Sequence, residues 1–143
     1  LYGEFDKFDE IQGHFVGALI NKIIQAKKKN KKYIKLFGDG SPKRQFMHAY
    51  DLAKVINMII KNNIKDSFNV ATLENFTVKK IAEIALKACD FENAKIRFVK
   101  SMPNGQMRKD IDIKKLRKIL PKFKPIILKD GIREIYLKKM KRI

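Results

Sequence analysis

The chain has 143 residues, 45% of them hydrophobic, enough for one single-core domain and not for two. Thirty-three Lys and Arg against 15 Asp and Glu give a formal net charge of +18, and a single cysteine excludes a disulfide framework or a Cys-rich zinc site within the chain. No apolar stretch approaches the roughly 18–20 residues that span a bilayer, and no basic-then-apolar leader opens the sequence, so a soluble protein of the reducing cytoplasm is expected.

The chain opens on Leu1-Tyr2-Gly3-Glu4-Phe5, apolar from its first residue, as a segment beginning inside a domain would be. Phe15, Val16, Leu19, Ile20, Ile23 and Ile24 recur at helical spacing and predict a helix over 14–27 that runs out into Lys27-Lys28-Lys29-Asn30-Lys31-Lys32. Tyr33-Ile34-Lys35-Leu36-Phe37 is β-prone. The loop behind it, Gly38-Asp39-Gly40-Ser41-Pro42-Lys43-Arg44, reads as a tight polar turn that delivers Arg44. A dinucleotide fingerprint would need a third glycine where Lys43 stands, and Pro42 interrupts the turn. Gln45-Phe46-Met47-His48 alternates as a short extended piece does. Asp51, as N-cap or first-turn acid, opens a helix carrying Leu52, Val55, Ile56, Ile59 and Ile60.

Ser67-Phe68-Asn69-Val70 is a second β-prone run, and Thr77 can cap a helix lined by Val78, Ile81, Ala82, Ala85 and Ala88 or Cys89. Lys95-Ile96-Arg97-Phe98-Val99 predicts a further strand. A Pro103-Asn104-Gly105 turn then leads to the cations Arg108 and Lys109, a sensible place for anion contact. Asp112 can cap a fourth helix with Ile113, Leu116, Ile119 and Leu120 before Pro121 stops it, and a fifth runs from about Asp130 to Met140. Strand and helix alternate, which predicts an α/β class with a small sheet covered by helices. The chain is too short to close a barrel or build a full doubly wound sheet.

His14 and His48 are the only imidazoles, the side chain suited to proton transfer near neutrality, and no His, Cys and carboxylate spacing resembles a metal site. Tyr50 and Lys54 have the Tyr-x-x-x-Lys spacing by which a lysine activates a tyrosine. Without the glycine turn and upstream serine that this chemistry needs, they read as a surface i, i+4 pair. Of the 33 cations 27 are Lys, spread over nearly every predicted helix rather than gathered on one aromatic-interleaved face. A compositional lysine bias explains them better than a nucleic-acid site, which leans on Arg.

Several blocks share one further property. Leu1-Tyr2-Gly3, then Phe5-Asp6-Lys7-Phe8-Asp9 with His14-Phe15-Val16-Gly17-Ala18-Leu19-Ile20, then Phe37 to Phe46 with Asp51-Leu52-Ala53 occur in a familiar order. Phe68-Asn69-Val70-Ala71-Thr72, Thr77 to Glu83 and Ser101 to Lys109 complete the series. Together they resemble the extended short-chain dehydrogenases of the NAD-dependent epimerase/dehydratase family that act on nucleotide sugars, over essentially the whole chain. The His14 and Pro-Asn-Gly to Arg-Lys blocks point to the GDP-L-fucose synthase branch.

The resemblance implies the C-terminal, substrate-binding portion of such an enzyme: a GDP-4-keto-6-deoxymannose 3,5-epimerase-4-reductase active as a homodimer. His14 is then the epimerisation acid beside the nicotinamide, and Leu1 is a neighbour of the cofactor. Lys22, Phe37, Arg44 and Lys109 match positions that contact the GDP-sugar. NADP(H) would be held mainly by an N-terminal Rossmann lobe, whose glycine-rich turn, serine, Tyr-x-x-x-Lys and second epimerisation residue, a cysteine, all precede Leu1 in the family pattern. Cys89 does not match that cysteine, so the 143 residues alone are expected to be inactive. The sequence departs from the pattern at Lys22 (arginine), Phe37 (tryptophan), Gly17 (proline), Met102 (lysine), Asn104 (aspartate) and Tyr50 (aspartate). Two rival expectations remain: another NAD(P)-dependent nucleotide-sugar epimerase, dehydratase or reductase, and a basic nucleic-acid-binding module.

Overall fold

The computed structural model describes residues 1–9 and 12–142. Its elements are α1 (Phe15–Lys28), β1 (Tyr33–Phe37), β2 (Lys43–Gln45), α2 (Ala49–Lys61), β3 (Asn75–Thr77), α3 (Val78–Ala88), β4 (Lys95–Val99), α4 (Lys114–Ile119) and α5 (Leu128–Met140). The class is α/β, as expected, but the described strands form two two-stranded sheets rather than one small sheet. β1 and β4 pair in parallel from Tyr33↔Lys95 to Phe37↔Val99, and β2 and β3 pair antiparallel from Lys43↔Thr77 to Gln45↔Asn75.

The main core lies where α1, α3 and α5 pack on one another and α1 covers β1. The α1 stripe is buried as its spacing predicts, with Val16, Leu19, Ile20, Ile23 and Ile24 all inside, and Ile34 and Leu36 answer from the inward face of β1. Three helix-breaking turns use residues that tolerate a left-handed backbone, Asn30, Asn63 and Asp90.

Capping separates the predicted helix starts from the observed ones. Thr77 caps α3 as expected, its hydroxyl accepting from Lys80 N. At α2 the N-cap is His48, and Asp51 sits in the first turn as a fully buried carboxylate that accepts from Ile126 N at 2.7 Å. α4 begins at Lys114 with Ile113 as its cap, although Asp112 still accepts from Lys114 N. α5 starts two residues before Asp130, at Leu128, because Glu74 Oε2 reaches across to accept from Leu128 N at 2.8 Å.

Two strand expectations need correction. Ser67–Val70 forms no strand: Phe68 and Val70 instead pack on a second core of Met47, Val55, Ala71, Ile113, Leu116 and Leu120. Conversely, β2 takes in only Gln45 of the extended piece expected over Gln45–His48, and no pattern announces β3, because three residues are too few to show a period of two.

Of the α2 stripe only Val55 is buried, while Ile60 remains 73% exposed. Among the described residues no helix is long and apolar enough to cross a membrane, and no three His, Cys, Asp or Glu side chains are placed to hold a metal ion.

Candidate functional site

The site is organised by the N-terminus of α1. His14 occupies the N-cap position, but its ring caps nothing: it projects outward, with 79% of the side chain exposed, and its Nδ1 lies 2.8 Å from Asp6 Oδ1. Asp6 closes a turn through Asp6 N to Gly3 O (3.2 Å), and the same Oδ1 accepts from Lys7 N at 2.9 Å. Two glycines let this loop lie against the helix start. A Cβ on Gly13 would meet Asp9 O at 2.2 Å, and one on Gly17 would meet Lys7 O at 2.8 Å and Asp6 Oδ2 at 3.4 Å. The first turn of α1 has no acidic residue of its own, so Asp6 supplies the negative charge favoured at its positive end.

A cleft of about 900 Å³ opens on one side of this helix start, lined by Leu1, Phe5, Asp6, His14, His48 and Tyr50 among others. On the other side, a smaller cleft of about 350 Å³ is lined by Phe15, Lys22, Phe37, Arg44, Phe46 and Asn104 with their neighbours. Phe15 and Phe46 stack there at 5.7 Å, and Lys22 Nζ stands 5.8 Å from the Phe37 ring centroid. Phe37 is presented because β1 ends there, and Arg44 because β2 carries it beside the cleft, with one guanidinium nitrogen donating to Lys43 O.

The turn between these two residues is shaped by Gly38 and Gly40, both at positive φ, and latched by Asn104, whose side-chain oxygen accepts from Asp39 N at 2.8 Å. Ser41 donates from both its hydroxyl and its backbone to Asp39, holding that carboxyl below the usual carboxylate range.

The structure thus groups Leu1 with His14, and Lys22 with Phe37 and Arg44, in two clefts flanking one helix end. Lys109 lines neither. It lies in the exposed segment 101–112, which is tied to the β2–β3 pair by the Lys43–Arg108 bridge, by Asn75 to Asp110 (2.5 Å) and by Ile111 N to Gln45 (2.8 Å). Tyr50 and Lys54 behave as a surface pair, Nζ 5.5 Å from the ring centroid, with Lys54 also 3.4 Å from Asp51. Asp6, Phe46 and Asn104 were not singled out from sequence as site residues. Asp6 precedes His14 by eight residues, and only the fold closes that distance.

A nicotinamide dinucleotide needs a glycine turn opening onto a helix N-terminus for its pyrophosphate. The turn present here opens onto β2. Asn104 occupies the space against Gly38 and Phe98 that against Gly40, where added Cβ atoms would meet them at 2.0 Å and 2.4 Å. The described residues therefore do not build a whole dinucleotide site.

A crystal structure of a GDP-L-fucose synthetase from Naegleria fowleri superposes with a TM-score of 0.88 over 98% of this chain and 43% of that chain, at 21% identity. A UDP-N-acetylglucosamine 4-epimerase from Methanobrevibacter ruminantium superposes with a TM-score of 0.77 over 99% and 44%, at 19% identity. The fold is therefore shared with part of each of these two proteins. The chain belongs to the family described as GDP-mannose 4,6 dehydratase, whose model matches residues 6–124, within the extended short-chain dehydrogenases.

Similar sequences include a GDP-L-colitose synthase of Yersinia pseudotuberculosis, 36% identical over 114 residues, and a probable GDP-L-fucose synthase of Oryza sativa subsp. japonica, 32% identical over 138. These alignments take in 78% and 95% of this chain but 37% and 41% of the relatives' lengths, so the chain spans about two fifths of the curated relatives it matches.

Proposed function

We propose that this chain is the substrate-binding part of a GDP-sugar epimerase-reductase of the GDP-L-fucose synthase kind, completed by an N-terminal Rossmann lobe that carries NADP(H), in a homodimeric enzyme of the cytoplasm. The observation that carries this reading is the convergence of Lys22, Phe37 and Arg44 on one cleft at the helix end that also presents His14. Two cations beside an aromatic face suit a nucleoside diphosphate: ammonium and guanidinium neutralise phosphate oxygens, and the Phe37 ring offers an apolar platform for a base.

His14 supplies the complementary chemistry. Epimerisation next to a ketone removes a proton from the carbon, leaves the electron pair as an enolate, and returns a proton on the opposite face. An imidazole at the cleft can deliver that proton from its outward nitrogen. Asp6, held by the backbone, accepts from the other nitrogen. The hydride for the reduction belongs to the nicotinamide cofactor. Lys109 lies on the segment whose Asn104 borders the cleft, which supports a contact with the distal part of a bound GDP-sugar.

Calorimetric titration of the chain with GDP, UDP and a single-stranded oligonucleotide tests this. Saturable GDP binding is expected, weakened roughly tenfold by Arg44→Ala or Lys22→Ala and less by Lys109→Ala. Equal affinity for UDP would indicate another nucleotide-sugar enzyme of the class. Oligonucleotide binding that falls steeply with salt, without GDP binding, would indicate a nucleic-acid module. The chain alone, mixed with NADPH and a GDP-4-keto-6-deoxy-sugar, is expected to show no loss of NADPH absorbance.

A further inference from the structure

Histidines occupy the N-cap of both α1 and α2, and the two rings are used in opposite ways. At α2, His48 Nδ1 accepts from Tyr50 N at 3.2 Å, so in the neutral ring the proton sits on Nε2. At α1, no backbone N–H of the helix reaches the His14 ring, and Nδ1 instead faces a carboxylate oxygen at 2.8 Å. An ionised carboxylate only accepts, so His14 Nδ1 carries the hydrogen and Nε2 is the open nitrogen of the neutral ring.

From this we infer that Asp6 is a positioning residue: it fixes the tautomer and orientation of His14 so that Nε2 is the atom that exchanges a proton with the sugar. The inference rests on the reading of His14 as the epimerisation acid given above. Asp6 is built for the task in three respects. Its side chain is 11% exposed against 79% for the imidazole, so the holder is fixed and the held group is open. Lys7 N and the Gly3–Asp6 turn hold it from its own loop. Gly17, one turn into α1, leaves the space into which the carboxylate settles.

When His14 gives its Nε2 proton, the ring becomes neutral with its remaining hydrogen on Nδ1, still donated to Asp6. When Nε2 takes a proton back, the carboxylate faces the imidazolium that forms. The ring therefore turns over between its two states without reorienting.

The test is the tautomeric state of the two histidines, read from long-range proton–nitrogen correlation spectra of the whole chain at about pH 9, where ordinary imidazoles are neutral. His14 is expected predominantly as the Nδ1–H form and His48 as the Nε2–H form. In Asp6→Ala, His14 is expected to shift to predominantly Nε2–H, as in a free imidazole, while His48 stays unchanged and reports that the fold survives. An Nε2–H form of His14 in the wild-type chain would overturn the inference without any variant, and so would an Asp6→Ala chain that keeps the Nδ1–H form.

The GDP titration separates this from the substrate reading. Asp6 does not line the Lys22, Phe37 and Arg44 cleft, so Asp6→Ala should bind GDP as the wild type does. Failure of GDP binding in the wild type would remove the substrate reading and, with it, the sugar as the proton's destination. A wrong tautomer with intact GDP binding would remove only the role of Asp6.

Discussion

Gly131 of α5 and the Tyr2 phenol meet so closely that a Cβ on the glycine would stand 2.1 Å from the hydroxyl oxygen and 2.9 Å from the ring carbon bearing it. Tyr2 cannot easily give way. It is 2% exposed, its N–H donates to Met47 O and its carbonyl accepts from Ala49 N, and its ring meets His48 edge-on at 5.1 Å.

Gly131→Ala therefore sets a gain in helix propensity of about 1 kcal/mol against overpacking that costs about 1–3 kcal/mol, and a net loss of stability is expected. Tyr2→Phe removes a buried hydroxyl with no partner among the described residues, so it should recover part of the loss when combined with Gly131→Ala. Thermal melts of the two single variants and the double variant check both signs.

Cys89 closes α3 at its C-cap, fully buried, and burial pushes its thiol up to about 12. At pH 8 such a thiol is ionised to only about one part in 10⁴, so a thiol reagent should label the native chain slowly and the denatured chain at the rate of an ordinary cysteine. Labelling followed across a denaturant series should track unfolding. Prompt labelling in native buffer would show that Cys89 is far more accessible and acidic than its surroundings allow.

The acid limb of stability is set in part by Glu4. Its ion pair with Lys138, at 2.5 Å, lowers its pKa below the usual glutamate value, with Arg142 at 3.8 Å in support. A carboxyl whose folded pKa is depressed contributes stability above its unfolded value, about 4.3, and that contribution is lost as pH falls through the lower folded value. The urea midpoint of the wild type should therefore fall as pH drops below about 4. Glu4→Gln should start lower at neutral pH and fall less steeply. The surplus of basic residues steepens the limb in both proteins as carboxylates are neutralised.

Five helices and both long strands are legible in the sequence, because each repeats its apolar residues often enough to show a period. The departures have a common physical cause. α5 begins early because Glu74, far away in sequence, caps it; Ser67–Val70 is β-prone but has no described strand beside it; and β2 and β3 exist only because a chain reversal brings three residues of each together. The site divides in the same way. His14, Phe37 and Arg44 stand in blocks that resemble a family. The pairing of His14 with Asp6, the separation of the site into two clefts and the exclusion of Lys109 from the lining of both depend on loop closure, which no local pattern encodes.

The parallel pairing of β1 with β4 leaves its mark on how the chain comes into being. Neither strand has another partner among the described residues, so Tyr33–Phe37 waits for Lys95–Val99, and the ends meet only after everything from Gly38 to Ala94 has been made. The stripe of Leu19, Ile20, Ile23 and Ile24 also precedes α3 and α5, which complete its cover, by 50 residues or more. Until those two helices have been made, the ridge stays uncovered beside the cations of Lys27–Lys32, whose mutual repulsion disfavours association between growing chains.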